Sequence, residues 1–95
     1  MKLEELIAKV SLFRMSRSNP ILVRHFKNKF YEVLNVAEHT ETGEALVIYR
    51  AMYGLHKVYA RPASMFCSPV DKDKYPDAIQ ADRFEFVTEL HYRVV

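Results

Sequence analysis

Arginine, histidine and tyrosine side chains recur through the middle of this 95-residue sequence, and they are the groups best suited to bind a ligand. Exposed aromatic rings beside arginines provide stacking and cation–π contacts for a base, a nucleotide or a peptide. Tyr53 and Tyr59 are expected to be exposed, since one adjoins a turn and the other shares a strand face with Arg61. The candidate binding residues are Arg24, His25, His39, Arg50, Tyr53, Tyr59 and Arg61.

The tyrosines also have a purely structural explanation. Each aromatic side chain buries ~150–250 Å² in a protein interior, so most aromatics of a small domain belong to its core. Tyr49, Val47 and Val58 are expected to form the central packing. Tyr31 belongs to the same aromatic set and has the same two interpretations, core residue or binding residue.

An enzyme or small-ligand-binding protein is the alternative hypothesis. In that case His25 and His39 would act as acid–base groups together with Glu32, Glu38 or Glu41. This hypothesis depends on residue types alone and is less favoured than a binding module. We therefore predict no catalytic residue.

Metal, thiol and phosphate-loop chemistry are weakly indicated. His25, His39, His56 and Cys67 carry zinc-binding atoms, but their spacing matches no compact zinc motif. We predict no metal and no other cofactor. A nucleophilic Cys67 would need a lowered pKa and a nearby base, and the sequence shows neither. The two glycines do not form a P-loop pattern, which excludes that kind of nucleotide hydrolysis.

Length and charge limit the class of partner. A chain of 95 residues forms one domain that buries about 60–65% of its unfolded surface. The net charge of +2 is small for a nucleic-acid-binding protein, although a small total can conceal a local patch. A protein partner is therefore slightly favoured over nucleic acid. No stretch approaches the ~20 apolar residues of a spanning helix, so no membrane partner is expected.

The compartment is predicted from the cysteine content and the first residues. A single cysteine, Cys67, excludes an internal disulfide and fits a reducing environment. Glu4 and Glu5 lie where an export signal would carry positive charge. Both features predict a cytoplasmic protein.

The first 19 residues are predicted to be a helical extension. Apolar residues at helical spacing give it one apolar face, and residues 16–20 contain the stop signals of Ser, Asn and Pro. This face either packs on the rest of the domain or forms a homodimer. The apolar residues are Leu3, Leu6, Ile7, Val10 and Phe13.

Residues 20–95 are predicted to form a single small β domain. Five short apolar segments are separated by polar turns, a pattern typical of an SH3-like antiparallel barrel. Asn28 and Gly43 are expected at positive φ in the first two turns, and a bulge is expected in the second strand. A helical turn should carry Met65 and Phe66 into the core. The strands are expected at residues 21–26, 30–37, 45–52, 57–61 and 83–87.

Several motifs resemble the bacterial DUF1653 family, a domain of unknown function. They run from Val23 to Phe66 in one order: RHFK, YEVL, AEHTET, VIYRAMYG and ARP followed by MF. The closing RFEF segment also fits. The resemblance implies no activity, because none is established for the family. The chain departs from the family pattern at Asn28, usually glycine, at Tyr59, usually tryptophan, and in the added N-terminal helix.

Overall fold

Five antiparallel strands form one sheet, and an N-terminal helix packs on it. The computed structural model describes residues 1–16 and 20–87, with side chains described for residues 1–13 and 20–87. This architecture confirms the predicted mainly β class with an N-terminal helix. The elements are α1 (Leu3–Ser16), β1 (Ile21–His25), β2 (Lys29–Glu38), β3 (Ala45–Ala51), β4 (Val58–Pro62), α2 (Ala63–Phe66) and β5 (Phe84–Phe86).

The strand order is β4-β3-β2-β1-β5, so β4 and β5 are the two edges of the sheet. Within the described residues no ladder joins these edges, and the predicted closure into a barrel is not confirmed. The turns agree with the sequence: Asn28 has a φ of 65° and Gly43 a φ of 73°. The expected bulge lies in β2, between Val33 and Asn35.

The core lies between one face of the sheet and the two helices. Val23, Val33 and Val47 are fully or almost fully buried on neighbouring strands. Leu6 and Val10 of α1 are buried in the same cluster, and Leu3 and Phe13 pack against it. Ile7 is 43% exposed. The apolar face of α1 is therefore largely occupied by its own sheet, while a homodimer through this helix stays a prediction.

Two predicted core residues are on the surface. Met65 is 49% exposed while Phe66 is fully buried, because adjacent residues of a helical turn point about 100° apart. Val58 is 54% exposed, because strand residues alternate between faces and Tyr59 takes the core-facing side. The polar segment before β5 also contributes to the interior through Gln80, which is 5% exposed. The continuation into residues 88–95 lies outside the described residues.

Helix α2 bridges the space between the two sheet edges. The Phe66 ring stacks on the Phe84 ring of β5, with centroids 4.1 Å apart and planes within 7°. The chain after α2 is held to the segment before β5 by backbone bonds: Arg83 N donates to Ser68 O (3.0 Å) and Val70 N to Ala81 O (2.8 Å). None of the helices in the described ranges is long and apolar enough to cross a bilayer.

Replacing Phe66 should destabilise the protein far more than replacing its neighbour. Phe66→Ala removes the buried ring and leaves a cavity, which costs about 3–5 kcal/mol. Met65→Ala is the matched control and should cost less than about 1 kcal/mol, because Met65 is half exposed. Urea denaturation measures both free energies of unfolding. Equal values would contradict the position of α2 in the fold.

Candidate functional site

Four of the seven predicted binding residues lie on the core-facing side of the sheet, around three packed aromatic rings. His25 ends β1, Tyr53 follows β3, and Tyr59 and Arg61 lie on β4. Contacts with the rings beneath relate them: His25 and Arg61 both lie against Phe84, with the His25 ring 5.0 Å and the Arg61 guanidinium carbon 5.8 Å from its centroid. Tyr53 contacts Tyr31, and Tyr59 contacts Tyr49. We call these four residues the candidate surface.

Tyr31 connects the candidate surface to the aromatic residues of the core. Its hydroxyl is hydrogen-bonded to the Tyr53 hydroxyl at 2.7 Å, and the two rings meet edge to face at 5.6 Å. The Tyr31 ring also packs edge to face on Tyr49 at 5.3 Å and on Phe84 at 5.7 Å. Burial and the bond with Tyr53 raise the pKa of Tyr31, so its hydroxyl stays protonated near neutral pH.

Arg61 presents its charge beside the exposed rings. Its guanidinium carbon lies 5.8 Å from the centre of the buried Phe84 ring, within cation–π range. Arg61 forms no ion pair with any carboxylate of the described residues. The ring of Tyr59, 41% exposed, lies 5.6 Å from that of Tyr49. Arg61 thus keeps its hydrogen-bond donors available next to an exposed aromatic ring.

His25 is a neutral residue that closes a turn. Its Nδ1 accepts a hydrogen bond from the Lys27 backbone N–H at 3.1 Å, which places the ring proton on Nε2. Burial, followed by the charges of Arg61, Arg83 and Lys27, lowers the pKa of His25 from 6.5 to about 4. A base this weak is poorly matched to proton transfer near pH 7. The three cations also show that the local potential here is positive.

The other three predicted residues lie elsewhere. His39 Nδ1 accepts hydrogen bonds from the backbone N–H groups of Glu41 (3.1 Å) and Thr42 (3.3 Å), in the loop at the opposite end of β2. Arg50 lies on the other face of the sheet, 3.6 Å from Glu32. These residues have local structural partners and do not contribute to the candidate surface.

Arg24 is held by a buried glutamine. Its Nε donates to Gln80 Oε1 at 3.1 Å, while Gln80 Nε2 donates to the Arg24 carbonyl (2.8 Å) and to the Asp82 carbonyl (2.9 Å). This pairing fastens the segment before β5 to β1. No sequence pattern indicated that Gln80 is buried, because the segment around it has no hydrophobic period.

The two histidines of the catalytic hypothesis are not brought together, and Glu32 is paired with Arg50. His25 and His39 lie at opposite ends of β2, and Glu32 faces Arg50 on the other side of the sheet. Among the side chains described, those of residues 1–13 and 20–87, no three His, Cys, Asp or Glu groups converge as metal ligands would. Burial raises the pKa of the Cys67 thiol, which disfavours a reactive thiolate.

Two residues that support the candidate surface were absent from the predicted set. Phe84, 1% exposed, lies beneath both Arg61 and Tyr31. Its alternation with Glu85 in the last strand indicated an inward side chain but not its neighbours. Lys29 lies over the Tyr53 ring, with Nζ 4.9 Å from the centroid. Its place beside the first turn was visible in sequence, but its proximity to Tyr53 depends on strand pairing.

Comparison with known proteins relates this architecture to one family. The sequence model of a family described as "Protein of unknown function (DUF1653)" matches residues 22–86. The crystal structure of a protein belonging to DUF1653 from Bordetella bronchiseptica is similar, with 30% sequence identity and a TM-score of 0.59, over 77% of this chain and 91% of that chain. No curated protein matches the chain. The matched segment contains the whole candidate surface and excludes α1.

Protonation of His25 should make stability pH-dependent. The folded state lowers the pKa of His25, so between pH 6.5 and about 4 the unfolded state binds more protons and stability rises with pH. His25→Asn removes the titration while an Asn Oδ1 can still accept the turn hydrogen bond. The wild type should therefore lose more unfolding free energy than His25→Asn between pH 7 and pH 4.5, measured by urea denaturation. Parallel losses would contradict the neutral, partly buried state of His25.

Proposed function

Because the chain belongs to the DUF1653 family, whose function is unknown, we propose a function from the candidate surface itself: the protein is a noncatalytic binding module. It recognises a ligand that presents a planar group together with a negative charge. Tyr53 and Tyr59, 40% and 41% exposed, supply ring surface for the planar group. Arg61 supplies the charge-assisted hydrogen bonds.

The observation that carries the proposal is the environment of Arg61. An arginine that only stabilises a fold commonly pairs with a carboxylate, as Arg50 does with Glu32 at 3.6 Å. Arg61 instead lies over a buried ring with no ion pair in the described part of the chain. A charged group that is half-buried without a partner gains from an anionic ligand, because the ligand meets a donor fork already held in place.

The rigid base of the candidate surface favours binding over chemistry. Tyr31, Tyr49 and Phe84 pack edge to face on one another at 5.3–5.7 Å. The exposed rings rest on this base, Tyr53 on Tyr31 and Tyr59 on Tyr49, each with centroids 5.6 Å apart. Preformed surfaces of this kind lose little entropy when they bind. No acid–base pair adjoins Arg61, since the nearby histidine is neutral and engaged in its turn. Both a protein segment with an acidic group and a nucleic acid offer the required ligand chemistry.

The proposal is tested by removing the exposed ring and the charge together. The protein with Tyr59→Ala and Arg61→Ala should lose ligands that the unaltered protein captures from a native bacterial lysate. Arg61→Gln alone should weaken binding of a captured ligand at least about tenfold, because a charge-assisted hydrogen bond contributes about 1.5–3 kcal/mol. Titration of the purified ligand measures this change.

The matched control is the double variant Arg50→Ala with Val58→Ala. It removes an exposed apolar side chain from β4 and an arginine from the neighbouring β3, both on the opposite face of the sheet. Circular dichroism and thermal melting establish that both double variants are folded. Equal capture by the two folded variants would refute the proposed function.

A further inference from the structure

The candidate surface continues as a row of five aromatic rings past the end of β1. Successive ring centroids are 5.6, 6.5, 4.5 and 4.9 Å apart, so no gap in the row is wider than one ring. Tyr53 is exposed and the others are partly exposed. We call this feature the aromatic row; in order, it consists of Tyr53, Tyr31, His25, Phe26 and Tyr75.

Three lysines lie over rings of the aromatic row. Lys29 Nζ is 4.9 Å from the centroid of Tyr53, at one end of the row. Lys27 Nζ and Lys74 Nζ are 5.2 and 5.5 Å from the centroid of Tyr75, at the other end. None of the three forms an ion pair with a carboxylate in the described ranges. Asp77 lines the same depression as Lys27 and Lys74 and is the opposing charge there.

From this arrangement, and resting on the proposed function, we infer that the ligand is a single-stranded nucleic acid whose bases stack along the aromatic row and whose phosphates contact Lys27, Lys29 and Lys74. Sequence-tolerant binding of single strands needs a succession of rings and a line of cations beside them. The aromatic row supplies the rings, and the three lysines supply the cations. Arg61 adds a further cation beside the middle of the row, since it lies over the Phe84 ring that contacts both Tyr31 and His25.

Binding of such a ligand replaces each lysine–ring contact by a base–ring contact and a lysine–phosphate contact. At an exposed site a lysine over a ring gains only about 0.5–1 kcal/mol, whereas a base stacked on a ring contributes about 1–3 kcal/mol. A base can therefore displace the ammonium group from the ring, and the flexible lysine stem carries that group to the adjacent phosphate. After this exchange the ring stacks on a base and the lysine contacts a phosphate.

Other anionic partners use the aromatic row less well. An acidic peptide would pair with the lysines but has no planar groups at regular intervals for the rings. Duplex DNA would meet the same cations, but its bases are stacked on each other and do not expose their faces. The combination of spaced rings and unpaired lysines therefore favours unpaired bases.

The test is fluorescence anisotropy of a short fluorescein-labelled oligodeoxythymidylate. Affinity should fall with salt at a log–log slope of about −2 to −3, because each neutralised phosphate of a single strand contributes about −0.7. Tyr75→Leu should weaken binding about 5- to 150-fold, while Tyr75→Phe should retain it, since the ring alone is needed for stacking. Equal affinities of the folded Leu and Phe variants would overturn the inference.

Charge variants distinguish binding along the aromatic row from nonspecific attraction of the oligonucleotide to any cation of the protein. Lys74→Ala should reduce the magnitude of the salt slope by about 0.7, and Asp77→Asn should tighten binding. Lys9→Ala removes a cation that lies 4.8 Å from the Phe86 ring, outside the aromatic row, and should leave the slope unchanged. The same loss of slope in Lys9→Ala and Lys74→Ala would overturn the inference.

Competitors decide between ligand classes. Unlabelled oligodeoxythymidylate should displace the probe, and poly-glutamate or a duplex of the same length should do so only weakly. Equal competition by either of these, or no binding of the oligonucleotide at low salt, would overturn the nucleic-acid inference. The proposed function would still stand if lysate capture continued to depend on Tyr59 and Arg61.

Discussion

Both the fold and the candidate surface depend on the packing of the Phe84 ring. Strand β5 has only three residues, and its ladder with β1 is correspondingly short. Phe84 adds side-chain packing to these backbone bonds: it stacks on Phe66 and meets Tyr31, Tyr49 and His25 edge to face. Such ring pairs contribute about 0.5–1.5 kcal/mol each beyond the area they bury. The same ring lies beneath the Arg61 guanidinium.

The aromatic core is therefore continuous with the candidate surface. A single ring can both stabilise the fold and position the surface. The Tyr31 ring packs on the buried rings of Tyr49 and Phe84. Its hydroxyl is hydrogen-bonded to the hydroxyl of the exposed Tyr53. A substitution of Tyr31 would change stability and binding together. Arg61 is a cleaner probe of function, because its charge contributes no ion pair to the described fold. This is why charge-removing variants separate the two roles better than ring-removing ones.

Local patterns predicted the elements, while the site required pairing between distant strands. Positive φ at Asn28 and Gly43 and the bulge in β2 follow from short-range chemistry, and all three are present. Strand parity already placed Arg50 on the opposite face from Tyr49, and its inclusion among the candidate binding residues rested on residue type alone. Barrel closure was inferred from strand number, which says nothing about how far β4 lies from β5. The burial of Gln80 was not predicted, because its side chain bonds to the backbone carbonyls of Arg24 and Asp82 and such contacts leave no pattern in the sequence.

The small net charge concealed a separation of charge along the sheet. Glu38, Glu41 and Glu44 lie at or beyond one end of β2, while Lys27 and Lys29 lie at the other. A ten-residue strand is about 33 Å long, several times the Debye length of about 8 Å at physiological salt. A ligand at the lysine end is therefore screened from the distant carboxylates. The total of +2 averages two regions that a ligand meets separately, so the positive surroundings of His25 describe the candidate surface better than the sum does.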